Sequence, residues 1–285
     1  MVERSIARSP GHISGYFRRC EGPDIASTGS VGGGIVIEEG VTVVAVRART
    51  PSVRVMVTAP GGTTIVPGGS PSVEYLMEQL GAPAALTTRC SLPIGAGFGL
   101  SAAALLGTGT ALSALYDLGL SRDEIARAAH DAEVVYRTGL GDVAAAQGGG
   151  IAIRRGAGVR ARILRFPSDM PVFAVSFGPI STPTVLDSPD TMARVRAAFP
   201  ASEPEGLEPL LQASREFAER SGLVTERVRA VLASCDDAGV PASMTMLGEG
   251  VFAIGPGARH ALCRFGQIHQ LTVAREGFRL LEVRP

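Results

Sequence analysis

Gly95, Gly97 and Gly99 occupy alternate positions in the run from Pro93 to Ala103, and Ser101 and Ala102 follow them at the head of an apolar, helix-forming stretch, 102–118. Residues without a Cβ let the backbone turn sharply and come close to a ligand. A helix behind such a turn aims unpaired N–H groups and the positive end of its dipole at the same spot. Together these features make an anion site, most often one for phosphate. Ser101, in the first helical turn, can offer its hydroxyl to a phosphate oxygen or to a metal held by one. The competing reading is a tight strand-to-helix connection with small residues for close packing. Two familiar nucleotide loops fit less well. A P-loop ends in Gly-Lys-Ser/Thr, and this chain has no lysine, all 27 basic residues being arginine. A Rossmann turn reads G-x-G-x-x-G, whereas the spacing here is G-x-G-x-G.

Phosphoryl transfer requires positioning, charge neutralisation and a group that orients or deprotonates the attacking hydroxyl. That chemistry calls for one carboxylate on a metal and a second beside the acceptor, and Glu133 and Asp142 are the candidates. Glu133 stands at i+3 from His130, so both can face one site, or both can belong to a solvated polar face. Asp142 follows Gly139-Leu140-Gly141 and starts a short helix, so its competing role is that of an N-cap.

The elements that must position these residues read as a mixture of strands and helices without a βαβ repeat, an α+β class. Strands are expected over 41–49, 53–58 and 84–92, the last leading into the glycine loop, with a short helix over 71–80 between them. Ser121 and Glu124 form a capping box opening a helix with Ile125, Ala129, Ala132 and Val135 on its apolar face. A break at 138–141, a short helix over 142–147 and an apolar strand over 148–154 follow. The turn at 155–159 is taken as the boundary between a domain of 1–157, which binds ATP and substrate, and one of 158–285. The second domain is expected to hold strands at 162–166 and 172–177 and helices at 191–199, 207–221 and 225–238. Further strands are expected at 243–247, 251–255, 270–275 and 279–283. Gly61-Gly62 and Gly68-Gly69 read as turns only.

The motif Pro-x-Gly-x-Gly-x-Gly-x-Ser-Ala at 93–102 resembles the central ATP loop of the GHMP kinase superfamily, whose usual form is Gly-Leu-Gly-Ser-Ser-Ala. Here Phe98 replaces the leucine and Leu100 the first serine, while Ser101 is kept. The segment 9–15 (SPGHISG) resembles the superfamily's N-terminal Pro-Gly motif, and 244–253 (MTMLGEGVFA) a degraded form of its C-terminal glycine-rich motif. The resemblance implies a ribosomal-S5-like N-terminal domain and a ferredoxin-like C-terminal domain with the active site between them. It implies ATP contacts at Pro93, Gly95, Gly97, Gly99, Ser101 and Ala102, Mg²⁺ held by Ser101 and Glu133, and Asp142 beside the acceptor hydroxyl. The superfamily's N-terminal lysine is missing, and His12 stands in that region.

Several strings are similar to the archaeal pantoate kinases within that superfamily: 10–17 (PGHISGYF), 28–32 (TGSVG), 130–133 (HDAE) and 139–149 (GLGDVAAAQGG) running into Arg154. What that implies is phosphorylation of the primary 4-hydroxyl of pantoate on the route to coenzyme A. Arg154 would pair with the substrate carboxylate through both arms of its guanidinium, and Ser30 and His130 would hydrogen-bond its oxygens. The alternative for Arg154 is a strand-end charge in water, for His130 a surface pair with Asp131, and for Ser30 a structural turn. Rival functions are a GHMP kinase for mevalonate, homoserine or shikimate, and a catalytically inactive sensor of the same fold.

The 285 residues are enough for two domains and a sizeable core, and 27 basic against 27 acidic residues argue against nucleic acid or a membrane surface as partner. No long uncharged apolar run and no signal peptide is read. Cys20, Cys90, Cys235 and Cys263 lie far apart, so free thiols in a reducing cytoplasm are expected rather than a zinc site. Oligomeric state is not legible, and a homodimer is carried as an option.

Overall fold

Strands β1 (Arg4–Cys20) and β2 (Gly29–Arg47) form a long antiparallel hairpin that is the spine of the molecule, with bulges between Ser9 and Gly11 and between Ser14 and Tyr16. The computed structural model describes residues 2–181 and 185–285. The first half of β2 is rich in glycine, a poor strand former, because the strand runs directly beneath its partner's side chains. A Cβ on Gly33 would lie 2.6 Å from the Tyr16 ring, and one on Gly34 would lie 2.3 Å from His12 Nε2.

Strand β2 then divides its partners. Its second half pairs with β5 (Ala84–Cys90), which runs parallel to β3 (Ser52–Ala59), and β3 makes a hairpin with β4 (Gly62–Val66). Its first half pairs with β6 (Ile151–Arg154), and β6 with β7 (Ile163–Phe166). Helix α1 (Pro71–Gln79) joins β4 to β5, and β5 runs out through the glycine loop into α2 (Leu100–Tyr116).

Helix α2 is buried almost all round, because small residues let both neighbours approach. A Cβ on Gly107 would sit 2.8 Å from Val43 on β2, and one on Gly109 would sit 2.9 Å from Ile125 on α3 (Arg122–Val135). Leu105, Leu106, Leu112 and Leu115 of α2 are fully buried, each contributing roughly 1.5–3 kcal/mol. Ser121 and Glu124 make the expected capping box at the start of α3. Helix α4 (Asp142–Ala145) is a single turn leading into β6.

The second sheet has the order β11-β8-β10-β9, antiparallel throughout, from β8 (Val172–Pro179), β9 (Ala242–Met244), β10 (Gly248–Ile254) and β11 (His269–Leu271). Helices α5 (Pro189–Ala198), α6 (Leu207–Ser221), α7 (Glu226–Asp237) and the short α8 (Ala258–Leu262) accompany it. Helix α6 reaches the spine at Gly15, where a Cβ would collide with Ser214. The chain ends in β12 (Arg279–Arg284), which pairs with β1, so the larger sheet takes strands from both sides of residue 157.

The α+β class is what the sequence led us to expect. Several elements differ. The strand over 41–49 is the end of a strand that begins at Gly29, and 4–20 is a full strand rather than a motif in a loop. Of the expected strand over 270–275, Gln270 and Leu271 pair with β8, and beyond them there is a lone bridge from Val273 to Ile37. The expected strand over 243–247 ends at Met244 and turns. The turn read at Gly61-Gly62 is present as the tip of an exposed hairpin, and what its polar threonines concealed is the second strand, β4.

Candidate active site

The glycine loop is held from three sides by segments far apart in the chain. Gly95, Gly97 and Gly99 have φ of +76°, +83° and +62°, the left-handed region that side chains disfavour. Space forbids a side chain as well: a Cβ on Gly97 would lie 2.9 Å from the Met246 carbonyl, and one on Gly99 would lie 2.9 Å from the His12 carbonyl. His12 N–H donates to Phe98 O at 2.9 Å, Met246 N–H to Ser14 O at 3.1 Å, and Thr245 Oγ1 to Ala96 O at 3.2 Å. These bonds tie together the three segments singled out in the sequence, 9–15, 93–102 and 244–253. Phe98 is buried beneath the loop and meets His269 edge to face, with ring centroids 5.9 Å apart.

The loop and the start of α2 form one wall of a cavity of about 460 Å³. Its apolar side includes Val55, Val66, Cys90 and Ile94, and its polar end holds His12, Ser14, Ser30, Ser101 and Asp142. Ser101 lines it together with Gly95, Gly97 and Gly99, whereas Pro93 and Ala102 lie outside the lining. Met246 and Leu247 complete it from the turn between β9 and β10, where Leu247 has a φ of +61°.

Asp142 is the hub of the polar end. It caps nothing: Gly141 is the N-cap of α4 and no side-chain cap bond is made there. Instead Asp142 Oδ1 accepts from His12 Nδ1 at 2.6 Å and from Ser14 Oγ at 3.4 Å, and its side chain keeps 24% of its exposure, towards the cavity. Burial acts to raise its pKa, but the hydrogen bonds from His12 and Ser14, with the Arg154 guanidinium as a neighbouring cation, outweigh it and hold the carboxyl below its usual range. Burial in turn lowers the pKa of His12, against the pull of Asp142, so the imidazole is neutral and donates through Nδ1. Its Nε2 is buried without a partner.

The Gly139-Leu140-Gly141 turn threads between the remaining charges. A Cβ on Gly139 would lie 2.4 Å from Glu133 Oε1 and 3.2 Å from Asp142 Oδ2. One on Gly141 would lie 2.4 Å from Ser30 Oγ and 2.8 Å from Arg154 Nε. Glu133 is 0% exposed and Arg154 2%, so neither is the solvated surface charge that spacing allowed. Both Glu133 oxygens and the Nε and Nη1 of Arg154 are buried without hydrogen-bond partners. Burial first, and Asp142 second, push the Glu133 carboxyl well above its usual range, while the Val143 amide acts weakly the other way without completing a hydrogen bond. Burial lowers the pKa of Arg154, opposed by Asp142, Tyr16 and Glu133. A buried guanidinium with unspent donors is costly unless a counter-charge completes it. An anionic group bound beside Gly141 would do so.

His130 has another task. Its Nε2 donates to Thr28 O at 2.9 Å and lies 3.2 Å from Ile25 O, and the ring is 1% exposed. It anchors the loop before β2 and does not line the cavity. Ser14 and Thr138, both on the wall, carry no signal in one sequence that would single them out. The partnership of His12 with Asp142 likewise spans 130 residues.

A site of this make can seat an anion at the glycine loop, deprotonate or orient a hydroxyl at Asp142, and match a carboxylate to Arg154. Residues 70–150 match the family model of the GHMP kinase N-terminal domain. A pantoate kinase of Methanospirillum hungatei is 44% identical over 277 residues, which are 97% of this chain and 96% of that protein. A pantoate kinase of Thermococcus kodakarensis is 31% identical over 86% of this chain and 85% of its own. A solved structure described as a phosphotransferase related to the CoA biosynthesis pathway superposes with a TM-score of 0.79 at 26% identity, covering 97% of this chain and 98% of its own.

Proposed function

Because the chain belongs to the GHMP kinases, and among them to the family of the pantoate kinases, we propose that it phosphorylates the 4-hydroxyl of pantoate with ATP in coenzyme A biosynthesis, with Asp142 as the group that receives the hydroxyl proton. The observation that carries this reading is the His12–Asp142 pair at the polar end of a cavity whose other wall is the glycine loop.

In this reading the triphosphate lies on the backbone amides at 95–101 and the start of α2, where N–H groups and helix dipole favour negative charge. The 4-hydroxyl oxygen attacks the γ-phosphorus, the bond to the β,γ-bridging oxygen breaks, ADP leaves, and the hydroxyl proton passes to the Asp142 carboxylate. A neutral His12 donating to Asp142 Oδ1 leaves Oδ2 for that proton and fixes the carboxylate's rotamer. The superfamily's lysine is thus replaced by a hydrogen bond rather than by a full cation. Arg154 pairs with the pantoate carboxylate, and Ser30, across Gly141 from it, hydrogen-bonds a substrate oxygen.

Mg²⁺ is part of the proposal. Glu133 has two buried oxygens without partners and lies against Gly139 of the cavity wall, and together with the Ser101 hydroxyl on that wall it would offer hard oxygen donors of the kind such an ion takes. The ion would supply neutralisation of the phosphate charge. Residues 1–157 then hold the loop, the carboxylates and Arg154, while 158–285 close the cavity with Met246 and Leu247. We place the enzyme in the cytoplasm of an archaeon, on the strength of its archaeal relatives; among the described residues no helix is long and apolar enough to cross a membrane.

The test is ADP formation by the purified protein against pantoate, mevalonate, homoserine and shikimate, with and without Mg²⁺. Turnover with pantoate that needs the ion is expected. Turnover with another acceptor and none with pantoate would overturn the reading.

A further inference from the structure

We propose that Arg137 is a phosphate-binding arginine of this site, held by Asp187 in the absence of nucleotide and passed to the terminal phosphates of ATP when it binds. The inference rests on the kinase reading above. Among the described residues on the cavity wall, Arg137 is the only lysine or arginine. The chain offers no lysine for the task, and Arg154 lies behind Gly141 with its donors aimed at the polar end. Yet the wall carries Asp142, and the triphosphate adds more negative charge, which phosphoryl transfer must see neutralised.

The backbone of Arg137 is unusual. It has a φ of +53°, directly after α3 and one residue before the Thr138-Gly139 turn. Arg137 is the C′ residue of the Schellman motif that ends α3, its N–H bonded to Val134 O at 3.2 Å and the Thr138 N–H to Glu133 O at 3.1 Å, so the helix end fixes where its side chain leaves the backbone. The side chain reaches across to Asp187, with Nη1 3.0 Å from each carboxylate oxygen. Leu186, next to Asp187, lines the cavity opposite α3. The Arg137 and Asp187 side chains are 55% and 52% exposed, and an ion pair that exposed is weak. A triphosphate bound at the loop therefore outcompetes Asp187 at little cost, and Nη1 exchanges one oxyanion for another.

Calorimetric titration of the full chain with ATP, adenosine and inorganic tripolyphosphate tests this apart from turnover. Arg137→Gln should weaken ATP and tripolyphosphate on the order of tenfold, as expected for loss of a charge-assisted contact, and leave adenosine within about twofold. Asp187→Asn should tighten ATP several-fold, and that gain should vanish in the Arg137→Gln background, because the two residues share one interaction. The KM for pantoate should stay nearly constant in each variant. The proposal fails if Arg137→Gln leaves ATP affinity unchanged, if both single variants weaken ATP alike as a purely structural pair would, or if the KM for pantoate rises instead. A wild-type protein that binds ATP but makes no ADP with pantoate would break the substrate reading, and the titrations would still decide the role of Arg137.

Discussion

In the proposed mechanism Asp142, Arg154 and Glu133 carry the chemistry, and each has a distinct expected phenotype. Asp142→Asn removes the proton acceptor while keeping the shape, so kcat should fall on the order of 10²-fold or more, with ATP affinity nearly unchanged by direct titration. Near-normal turnover would demote Asp142 to a packing residue. Arg154→Ala removes the counter-charge for the substrate carboxylate and should raise the KM for pantoate on the order of 10²-fold, with the KM for ATP steady. Arg154→Lys should restore only part, since an ammonium lacks the fork of a guanidinium. The neutral analogue with the carboxylate reduced to an alcohol separates the roles: an equal loss against it would show that Arg154 serves the fold alone. Glu133 gives a pH signature. Its folded pKa is raised, chiefly by burial, so its contribution to stability is fully present below the unfolded value of about 4.3 and is lost as pH rises through the folded one. The ligand-free protein should therefore lose thermal stability on going from mildly acidic to mildly alkaline pH. Glu133→Gln should flatten that slope while raising the Mg²⁺ requirement for turnover. Asp142, with its depressed pKa, acts in the opposite sense, its contribution fading only in strong acid. An unchanged slope in Glu133→Gln would remove Glu133 as its source.

The glycine loop turns these side chains into a site, and its geometry separates conformational cost from steric cost. Gly97 and Gly119 share a left-handed φ, +83° and +64°, but a Cβ on Gly97 meets the Met246 carbonyl at 2.9 Å while one on Gly119 meets nothing within 4 Å. Gly119→Ala should cost about 1–2 kcal/mol, the penalty of the backbone conformation, and leave ATP affinity alone. Gly97→Ala adds a backbone collision at the nucleotide loop, so it should cost more stability than Gly119→Ala and weaken ATP at least several-fold. Chemical denaturation and nucleotide titration of the two variants check this, and equal effects would show that the loop yields freely. The capping box of α3 lies away from the cavity: Ser121→Ala should cost about 1 kcal/mol and leave kcat unchanged.

The molecule as a whole should unfold as one unit. Its main buried cluster runs unbroken from Ala7 and Ile13 of β1 through α2 and α6 to Val251 and Phe252 of β10. Strand β12 returns to β1, and Arg122 at the start of α3 donates to Phe278 O at 2.6 Å and stacks on the Phe278 ring at 4.0 Å. A shared core of this kind leaves no boundary at which one half could melt alone. Calorimetry and far-ultraviolet circular dichroism should report a single coincident transition, moved upward by MgATP in proportion to the logarithm of its concentration. Two transitions, with ATP shifting only one, would mean that the loop and the turn at 245–248 are less firmly joined than their hydrogen bonds suggest.

Local signals in the chain were sufficient for the glycine loop with its helix, the capping box of Ser121 and Glu124, the short helix opened by Asp142 and the helices over 207–221 and 226–237. Each is written in neighbours a few residues apart, where turn chemistry and helical period operate. Of the spine, only the end of β2, within the expected strand over 41–49, was legible in that way. Gly32, Gly33 and Gly34 are there for close approach to Tyr16 and His12, and His12 and Ser14 put polar groups where a strand pattern would show core. Only the tertiary structure brought His12 onto Asp142 and turned His130 away to the Thr28 carbonyl. It also buried Glu133 and Arg154 on either side of one glycine turn. Burial and long-range pairing are properties of the assembled core, and a single sequence records which groups are available without recording which of them meet.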